Sequence, residues 1–182
     1  MTWPSEQPVL SGDRVLLRAV TEADTEAIFE ACQDPYIQHF TQVPVPYSRV
    51  DAETFVGLCR DRWRDGVTAN FAVFDRGSDL FQGIVGVIGA DHSQRAAGLG
   101  YWTAAWGRGR GLTSEAVKVV TAWALHDGGL NSLVAEAETS NPASMRILAS
   151  AGFVRQLGAD EILDVKGTTR TFSIWRISAA TA

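Results

Sequence analysis

The stretch Trp106-Gly107-Arg108-Gly109-Arg110-Gly111-Leu112-Thr113 decides the fold, because it lies between a predicted strand and a strongly amphipathic helix. Its glycines let the backbone turn sharply and leave amide N–H groups uncovered. The start of the helix adds unpaired N–H donors and the positive end of the helix dipole. Such a junction is suited to bind an anion, best of all a diphosphate, and Arg108 and Arg110 could add charge-assisted hydrogen bonds.

This stretch matches neither of two common phosphate-binding motifs. The Lys-Ser/Thr pair of a P-loop is absent. The glycines of a dinucleotide-binding fingerprint follow the first strand of a βαβ unit, whereas these follow a later strand. A glycine-arginine run alone is also typical of a flexible loop, but its position between a strand and a helix favours an anion site.

The pattern on either side of the stretch predicts a mixed sheet. Strands are predicted over residues 15–20, 70–75, 80–88, 97–104, 133–137, 153–157 and 169–177. Helices are predicted after the capping sequence at 21–24, over 48–65 and 112–126, and from Asn141-Pro142 to Gly152, with a loop and a short helical turn over 36–47. Short turns between the three middle strands favour an antiparallel meander. The predicted fold class is therefore α+β, a mixed α/β arrangement of one central sheet flanked by helices.

The composition excludes several classes of protein. The 182 residues include 16 Lys and Arg against 21 Asp and Glu, a net charge of −5 that argues against nucleic-acid backbone binding. The two cysteines, Cys32 and Cys59, are too few for a disulfide framework or a four-ligand zinc site, so we expect no metal. The sequence shows neither a signal peptide nor a membrane span. We therefore expect a cytoplasmic protein with no membrane partner, one domain over residues 12–178 and an irregular lead-in over residues 1–11.

Five short motifs follow one another between residues 12 and 177. They are Leu17-Arg18 with Thr21-Glu22-Ala23-Asp24, Gly83-Ile84-Val85-Gly86-Val87-Ile88-Gly89, Leu99-Gly100-Tyr101-Trp102, Arg108-Gly109-Arg110-Gly111-Leu112-Thr113, and Asn141-Pro142-Ala143-Ser144 followed by Ala151-Gly152-Phe153. In this order and spacing they resemble the GNAT superfamily of acetyl-CoA-dependent N-acetyltransferases, and within it the RimJ/RimL-like branch. The superfamily's pyrophosphate loop reads Gln/Arg-x-x-Gly-x-Gly/Ala, and Thr113 departs from its last position.

The resemblance implies a mostly antiparallel, twisted sheet with one pair of parallel strands that splay apart to form a cleft for acetyl-CoA. These would be the strands ending near residues 104 and 137. A backbone N–H near Thr103 would bind the pantetheine arm and the thioester carbonyl, and the loop would bind the pyrophosphate. The cofactor-binding residues that the resemblance implies are Thr103, Arg108, Gly109, Arg110, Gly111, Leu112, Thr113, Asn141 and Ser144.

The usual catalytic groups of the superfamily are incomplete in this chain. Leu148 stands where many members have a tyrosine that protonates the departing sulfur, and Gly98 stands where many have a glutamate base. RimL-like relatives use the serine of Asn-x-x-Ser instead, which implies catalytic roles for Ser144 and Asn141. Both residue types are also favoured at the start of a helix for structural reasons alone.

The sequence offers several candidates for the general base, and the two cysteines must be considered as possible nucleophiles. Asp91, His92, Glu136 and Glu138 are candidate bases, and a chain of water molecules could also deprotonate the amine. Neither cysteine lies in an electropositive turn that would activate a thiolate. We therefore expect direct attack by the amine in a ternary complex, without an acetyl-enzyme.

The acceptor is expected to approach from the side of the first two helices, where aromatic residues gather. These are Tyr36, His39, Phe40, Tyr47 and Trp63, joined by Trp102 on the central strand. We predict that Phe40, Trp63 and Trp102 bind the acceptor, although an aromatic cluster is equally typical of a core. A pocket of this kind would suit an amine with hydrophobic or cationic bulk.

The leading hypothesis is an N-acetyltransferase acting on a primary amine, either a protein N-terminus, as in ribosomal-protein acetylation, or a small amine. A homodimer is compatible with it, since relatives are often dimers. An alternative is an acyl-CoA-binding module with little or no turnover, suggested by Leu148 and Gly98. A third hypothesis is a nucleotide-phosphate binder that shares only the loop.

Overall fold

Residues 3–179 are described by the computed structural model, and they form one nine-stranded sheet with helices on both faces. The strands are β1 (Leu10–Ser11), β2 (Val15–Ala19), β3 (Ala69–Asp75), β4 (Phe81–Asp91), β5 (Ala96–Thr103), β6 (Ser132–Glu138), β7 (Val154–Arg155), β8 (Glu161–Val165) and β9 (Thr168–Ser178). The α-helices are α1 (Thr25–Ala31), α2 (Pro35–Phe40), α3 (Arg49–Arg64), α4 (Leu112–His126) and α5 (Pro142–Ser150).

The strand order in the sheet is β1-β2-β3-β4-β5-β6-β9-β7, with β8 paired to β9. The predicted meander is confirmed, because β3, β4 and β5 pair antiparallel in sequence order. All described strand pairs are antiparallel except β5 with β6. The expected α+β class and mostly antiparallel sheet are therefore confirmed.

The parallel pair separates along its length. β5 and β6 are paired only from Ala96 opposite Ser132 to Gly98 opposite Val134. Beyond that point β5 continues to Thr103 and β6 to Glu138 without a shared ladder. The splay expected between these strands is therefore present, and it leaves backbone N–H and C=O groups of β5 unpaired on the side of the gap.

The two faces of the sheet have separate cores, because strand side chains alternate between them. On one face, α4 packs its apolar stripe against buried residues of the central strands, including Val85, Leu99 and Leu133. On the other face, α1, α2 and α3 cover a second cluster that includes Ile28, Ile37 and Val56. Tyr101 belongs with the α4 face and Trp102 with the other, so these neighbours on β5 point to opposite sides of the cleft.

Helix α2 replaces most of the first half of the loop predicted over residues 36–47. Its start is well capped: Asp34 Oδ1 accepts a hydrogen bond from the Tyr36 N–H at 2.8 Å, and Pro35 occupies the first helical turn. The prolines that follow Val43 obscured this short helix in the sequence.

The hairpin formed by β8 and β9 was also only half predicted. Its turn is Lys166-Gly167, and both residues have positive φ, 54° and 74°, as a two-residue hairpin turn requires. The sequence revealed β9 but not β8, because every β8 residue before Val165 is exposed and no apolar alternation marks the strand.

The irregular lead-in was expected over residues 1–11, of which residues 1–2 lie outside the described part of the chain; residues 3–9 carry no helix or strand. The lead-in ends in β1, and Trp3 is buried against Trp63 and Trp123 in the α4-side core. The Trp3 indole N–H donates to the Gly128 carbonyl at 3.2 Å, so this segment is tied to the end of α4.

Candidate active site

The N-terminus of α4 is open to an anion. Its N-cap is Gly111, which has φ 74° and therefore lies in the left-handed region that glycine occupies without strain. No side chain caps the helix, so the N–H groups of its first turn keep free donor capacity. Glu115, the acidic residue of this turn, is held by the backbone N–H of Arg14 at 2.8 Å and by its guanidinium at 3.2 Å. This pairing reduces the repulsion that a bound phosphate would meet.

The arginines of the loop are paired with protein carboxylates. Arg108 Nη2 lies 2.5 Å from Asp34 Oδ2, donates to the Thr103 carbonyl at 3.2 Å, and stacks over the Tyr36 ring at 4.5 Å. Arg110 Nη2 lies 2.5 Å from Asp75 Oδ2. In this structure both side chains brace the loop against α2 and β3. A phosphate contact by either guanidinium stays a prediction.

Two further loop residues act through packing and bracing. The Leu112 side chain is buried in the α4-side core, so only its backbone can reach a ligand. The Thr113 hydroxyl lies 2.6 Å from the Thr103 hydroxyl, which joins the start of α4 to the end of β5. Threonine at the position where the superfamily has Gly or Ala thus makes a contact that neither could make.

Asn141 and Ser144 lie together at the start of α5. Asn141 Oδ1 accepts the Ser144 N–H at 3.1 Å, which is the N-cap hydrogen bond expected on structural grounds. The same oxygen lies 2.9 Å from the Tyr36 hydroxyl, so the side chain is also linked to α2. Leu148, in the place of the usual tyrosine, is fully buried.

Tyr101 is a site residue that sequence reasoning missed. Its hydroxyl lies 2.8 Å from Ser144 Oγ and 3.1 Å from the Ser144 carbonyl oxygen, across the cleft between β5 and α5. Burial raises the pKa of Tyr101 to about 12, so the phenol is protonated at neutral pH. The signal was present in Leu99-Gly100-Tyr101-Trp102, but strand alternation alone does not show that Tyr101 faces α5.

The predicted acceptor residues separate into two groups. Trp102 is half-buried beside Phe81, and Phe40 is half-buried beside Tyr36, both on the face covered by α1–α3. Trp63 does not lie with them. Its side chain is 6% exposed and packs in the core on the opposite face, where its ring centre lies 5.1 Å from that of Trp3 and 6.0 Å from that of Trp123. The other buried residues of α3, including Val56 and Cys59, pack in the cluster under α1–α3, so Trp63 alone of them joins the α4-side core.

Two candidate bases are distant from the cleft. Asp91 ends β4 and His92 lies in the turn before β5, and the strand from Ala96 to Thr103 spans about 23 Å. Asp91 Oδ1 accepts hydrogen bonds from Ser93 and Gln94, and these bonds lower the pKa of the carboxyl. His92 Nε2 contacts the Gly66 carbonyl oxygen at 2.8 Å. Both residues therefore stabilise turns.

Glu136 and Glu138 lie at the cleft end of β6 and alternate with residues buried under α4, so they point to the opposite face of the sheet, from which the acceptor is expected to approach. Glu138 is engaged: its carboxylate lies 3.3 Å from Arg170 and 3.7 Å from His39, and accepts the Ser140 hydroxyl at 2.6 Å. Glu136 is exposed and makes no ion pair within the described residues 3–179. Of the two β6 glutamates, Glu136 is therefore the one that is not engaged with another side chain.

The cysteines do not provide a nucleophile to the cleft. Burial raises the pKa of Cys32 to about 12 and that of Cys59 to about 11. Cys59 also accepts a hydrogen bond from Asn70 at 3.3 Å. Both thiols are protonated at neutral pH, which agrees with the expectation of direct attack.

Within residues 3–179, no group of three or more His, Cys, Asp or Glu side chains is placed to hold a metal ion. No helix in the same range combines the length and the apolar character needed to cross a membrane.

Comparison with known proteins finds the same fold and a family match. The model of the family described as Acetyltransferase (GNAT) domain matches residues 14–154. An uncharacterized N-acetyltransferase, YoaA of Bacillus subtilis, is 23% identical over 170 residues, which cover 93% of this chain and 96% of YoaA.

Two solved structures extend the comparison. RimJ of Mycobacterium smegmatis in complex with CoA-disulfide is 20% identical, with a TM-score of 0.85 over 98% of this chain and 90% of RimJ. Spermidine N-acetyltransferase of Vibrio cholerae in complex with CoA and spermine is 18% identical, with a TM-score of 0.80 over 93% of this chain and 98% of that chain. At these identities the structures show that the fold is shared.

Proposed function

We propose that this chain, which belongs to the acetyltransferase (GNAT) domain family, transfers the acetyl group of acetyl-CoA to a primary amine. One observation carries the proposal: the splayed end of β5 and β6 lies beside the uncapped N-terminus of α4. A gap between parallel strands can take an extended arm, and a free helix N-terminus can take a diphosphate. The two CoA complexes that share the fold support the same cofactor.

The described residues offer groups that suit each part of acetyl-CoA. Backbone N–H groups from Gly109 to Thr113 would bind the pyrophosphate. The unpaired edge of β5 near Thr103 would bind the pantetheine amides, and Asn141 and Ser144 would face the arm and the sulfur. When bound, the thioester supplies an acyl group activated toward nitrogen.

The reaction needs one proton to leave the amine and another to reach the sulfur, while a C–N bond forms and the C–S bond breaks. We assign the second proton to the Ser144 hydroxyl, with Tyr101 as its hydrogen-bond partner at 2.8 Å. Tyr101 can replace the proton that Ser144 gives up, which offers a substitute for the phenol missing at Leu148.

For the first proton we assign Glu136, because it faces the acceptor side and is not committed to an ion pair. The acceptor itself would lie against Trp102 and Phe40. A cationic amine fits this placement, since the chain carries a net charge of −5 and one structure that shares the fold, the spermidine N-acetyltransferase of Vibrio cholerae, is in complex with CoA and spermine.

Calorimetric titration with acetyl-CoA, with ATP and NAD as controls, tests the cofactor. Binding of acetyl-CoA in the micromolar range, about −8 kcal/mol, without binding of the controls supports it. Release of free thiol with a panel of amines and N-terminal peptides then tests turnover. Binding without thiol release from any amine would favour the acyl-CoA-binding module, and equal binding of ATP would favour the nucleotide-phosphate binder.

A further inference from the structure

Tyr36 connects α2 to the start of α5. Its hydroxyl lies 2.9 Å from Asn141 Oδ1, a contact between residues 105 positions apart. The Arg108 guanidinium lies 4.5 Å from the centre of its ring, so the same side chain also touches the anion-binding loop. Tyr36 thus bridges the two sides of the cleft at its carboxyl end.

The hydrogen bonds around Asn141 fix which way its amide points. The Ser144 N–H can only donate, so the oxygen of the Asn141 side chain must face it, at 3.1 Å. Tyr36 donates its hydroxyl proton to that same oxygen. Both bonds fall on Oδ1, and no protein acceptor for the N–H donors of Nδ2 is found within residues 3–179.

Helix α2, which carries Tyr36, is held at both of its ends. Asp34 caps the helix and pairs with Arg108. At the other end, Lys166 Nζ donates to the Gln38 carbonyl at 2.6 Å and Arg170 Nη1 donates to the His39 carbonyl at 2.5 Å. These contacts place the ring without help from the hydroxyl, which is why the hydroxyl can be removed alone.

We propose that Tyr36 is a positioning residue for cofactor binding: its hydroxyl locks the Asn141 amide so that Nδ2 donates to a carbonyl oxygen of the pantetheine arm. This inference rests on the proposed use of acetyl-CoA. It assigns to α2, which otherwise belongs to the acceptor side, a direct influence on the cofactor side.

The test is a double-mutant cycle read by the dissociation constant of acetyl-CoA. Tyr36→Phe keeps the ring and its stacking and removes one hydrogen bond. Asn141→Asp keeps the N-cap and both accepted bonds and removes the N–H donors. Tyr36→Phe is expected to raise the dissociation constant about 3- to 10-fold in the native background, the worth of one hydrogen bond, and to change it less than about twofold in Asn141→Asp.

A second ligand separates positioning from general damage to the site. ADP contains the diphosphate but no pantetheine arm, so Tyr36→Phe is expected to leave its affinity unchanged. Melting temperatures of both variants, within a few degrees of the native protein, show that they fold.

Each contrary outcome has its own meaning. An unchanged acetyl-CoA affinity in Tyr36→Phe overturns the inference, as does an equal loss in both backgrounds or for ADP, because Tyr36 would then act without Asn141. Failure of the native protein to bind acetyl-CoA would overturn the proposed function and this inference together.

Discussion

Replacing Gly111 by alanine should reveal whether the anion site depends on the backbone shape of the loop. Gly111 has φ 74°, where an L-residue with a Cβ is strained by about 1–2 kcal/mol. The added Cβ would lie 3.3 Å from Arg14 Nη2, the end of a flexible side chain that can move aside, so the backbone term dominates. Gly57 is the matched control, because it lies inside α3 and its added Cβ would touch nothing within 4 Å.

The strain in Gly111→Ala must appear in one of two measurements. If the loop keeps its shape, the folded state is destabilised by about 1–2 kcal/mol, and the melting temperature falls by about 2–8 °C. If the loop relaxes instead, at least one hydrogen bond from a backbone N–H to phosphate is lost, which raises the dissociation constant of acetyl-CoA about 10- to 150-fold. Gly57→Ala should do neither; it should raise the melting temperature by about 2–4 °C, because alanine favours a helix interior by about 1 kcal/mol.

Thermal unfolding with calorimetric titration of acetyl-CoA measures both quantities on the same samples. A Gly111→Ala protein that melts within one degree of the native protein and binds acetyl-CoA equally well would refute the reasoning, since the strain would have gone nowhere. Weakened binding in Gly57→Ala would show that the assay reports something other than the loop.

Ser144→Ala should lower kcat about 100-fold or more with little change in acetyl-CoA affinity, and Tyr101→Phe should lower kcat by a smaller factor. If both variants turn over as fast as the native protein in steady-state assays, both residues are only structural. Glu136→Gln should lower kcat/KM and remove the acidic limb of its pH profile, whereas Glu138→Gln should lower the melting temperature. If the pH–rate profile of Glu136→Gln is the same as that of the native protein, Glu136 is not the base. Burial by itself would raise the pKa of Asp24, but bonds from its arginine partner and Thr21 outweigh it and lower the pKa. Asp24→Asn should therefore cost about 2–4 kcal/mol at neutral pH, and the difference from the native protein should shrink as pH falls below about 4; a pH-independent difference in urea titrations would contradict this.

Local pattern in the sequence was sufficient for much of the fold. The α4 helix and the three central strands were predicted because their apolar periodicity is strong and glycines mark their ends. Helix α2 was reduced to a turn because it is short and followed by prolines, and its stability comes from partners on distant elements. Strand β8 was missed because pairing with β9, and not burial, holds it in place.

Trp63 shows the limit of reading an aromatic cluster from proximity in sequence. Helical spacing correctly placed it on the buried stripe of α3, but it does not show that the end of this stripe, at Trp63, packs in a different cluster from Val56 and Cys59. The decisive partner was Trp3, in a lead-in with no regular pattern. No signal in the sequence could assign that contact.

Arg108 and Arg110 show the same limit for the predicted site, because their partners are distant in sequence. Beside a row of glycines, Arg108 and Arg110 look like phosphate ligands, and sequence offers no reason to doubt it. In the fold each meets a carboxylate from another element, Asp34 or Asp75, within 2.5 Å. The carboxylates of Asp34 and Asp75 are largely buried, so an arginine that left either of them for a phosphate would leave a buried charge unpaired. We therefore expect the anion to bind backbone N–H groups, while the guanidinium of Arg108 joins the loop to Asp34 at the start of α2, so that this ion pair links the predicted cofactor loop to the helix on the predicted acceptor side.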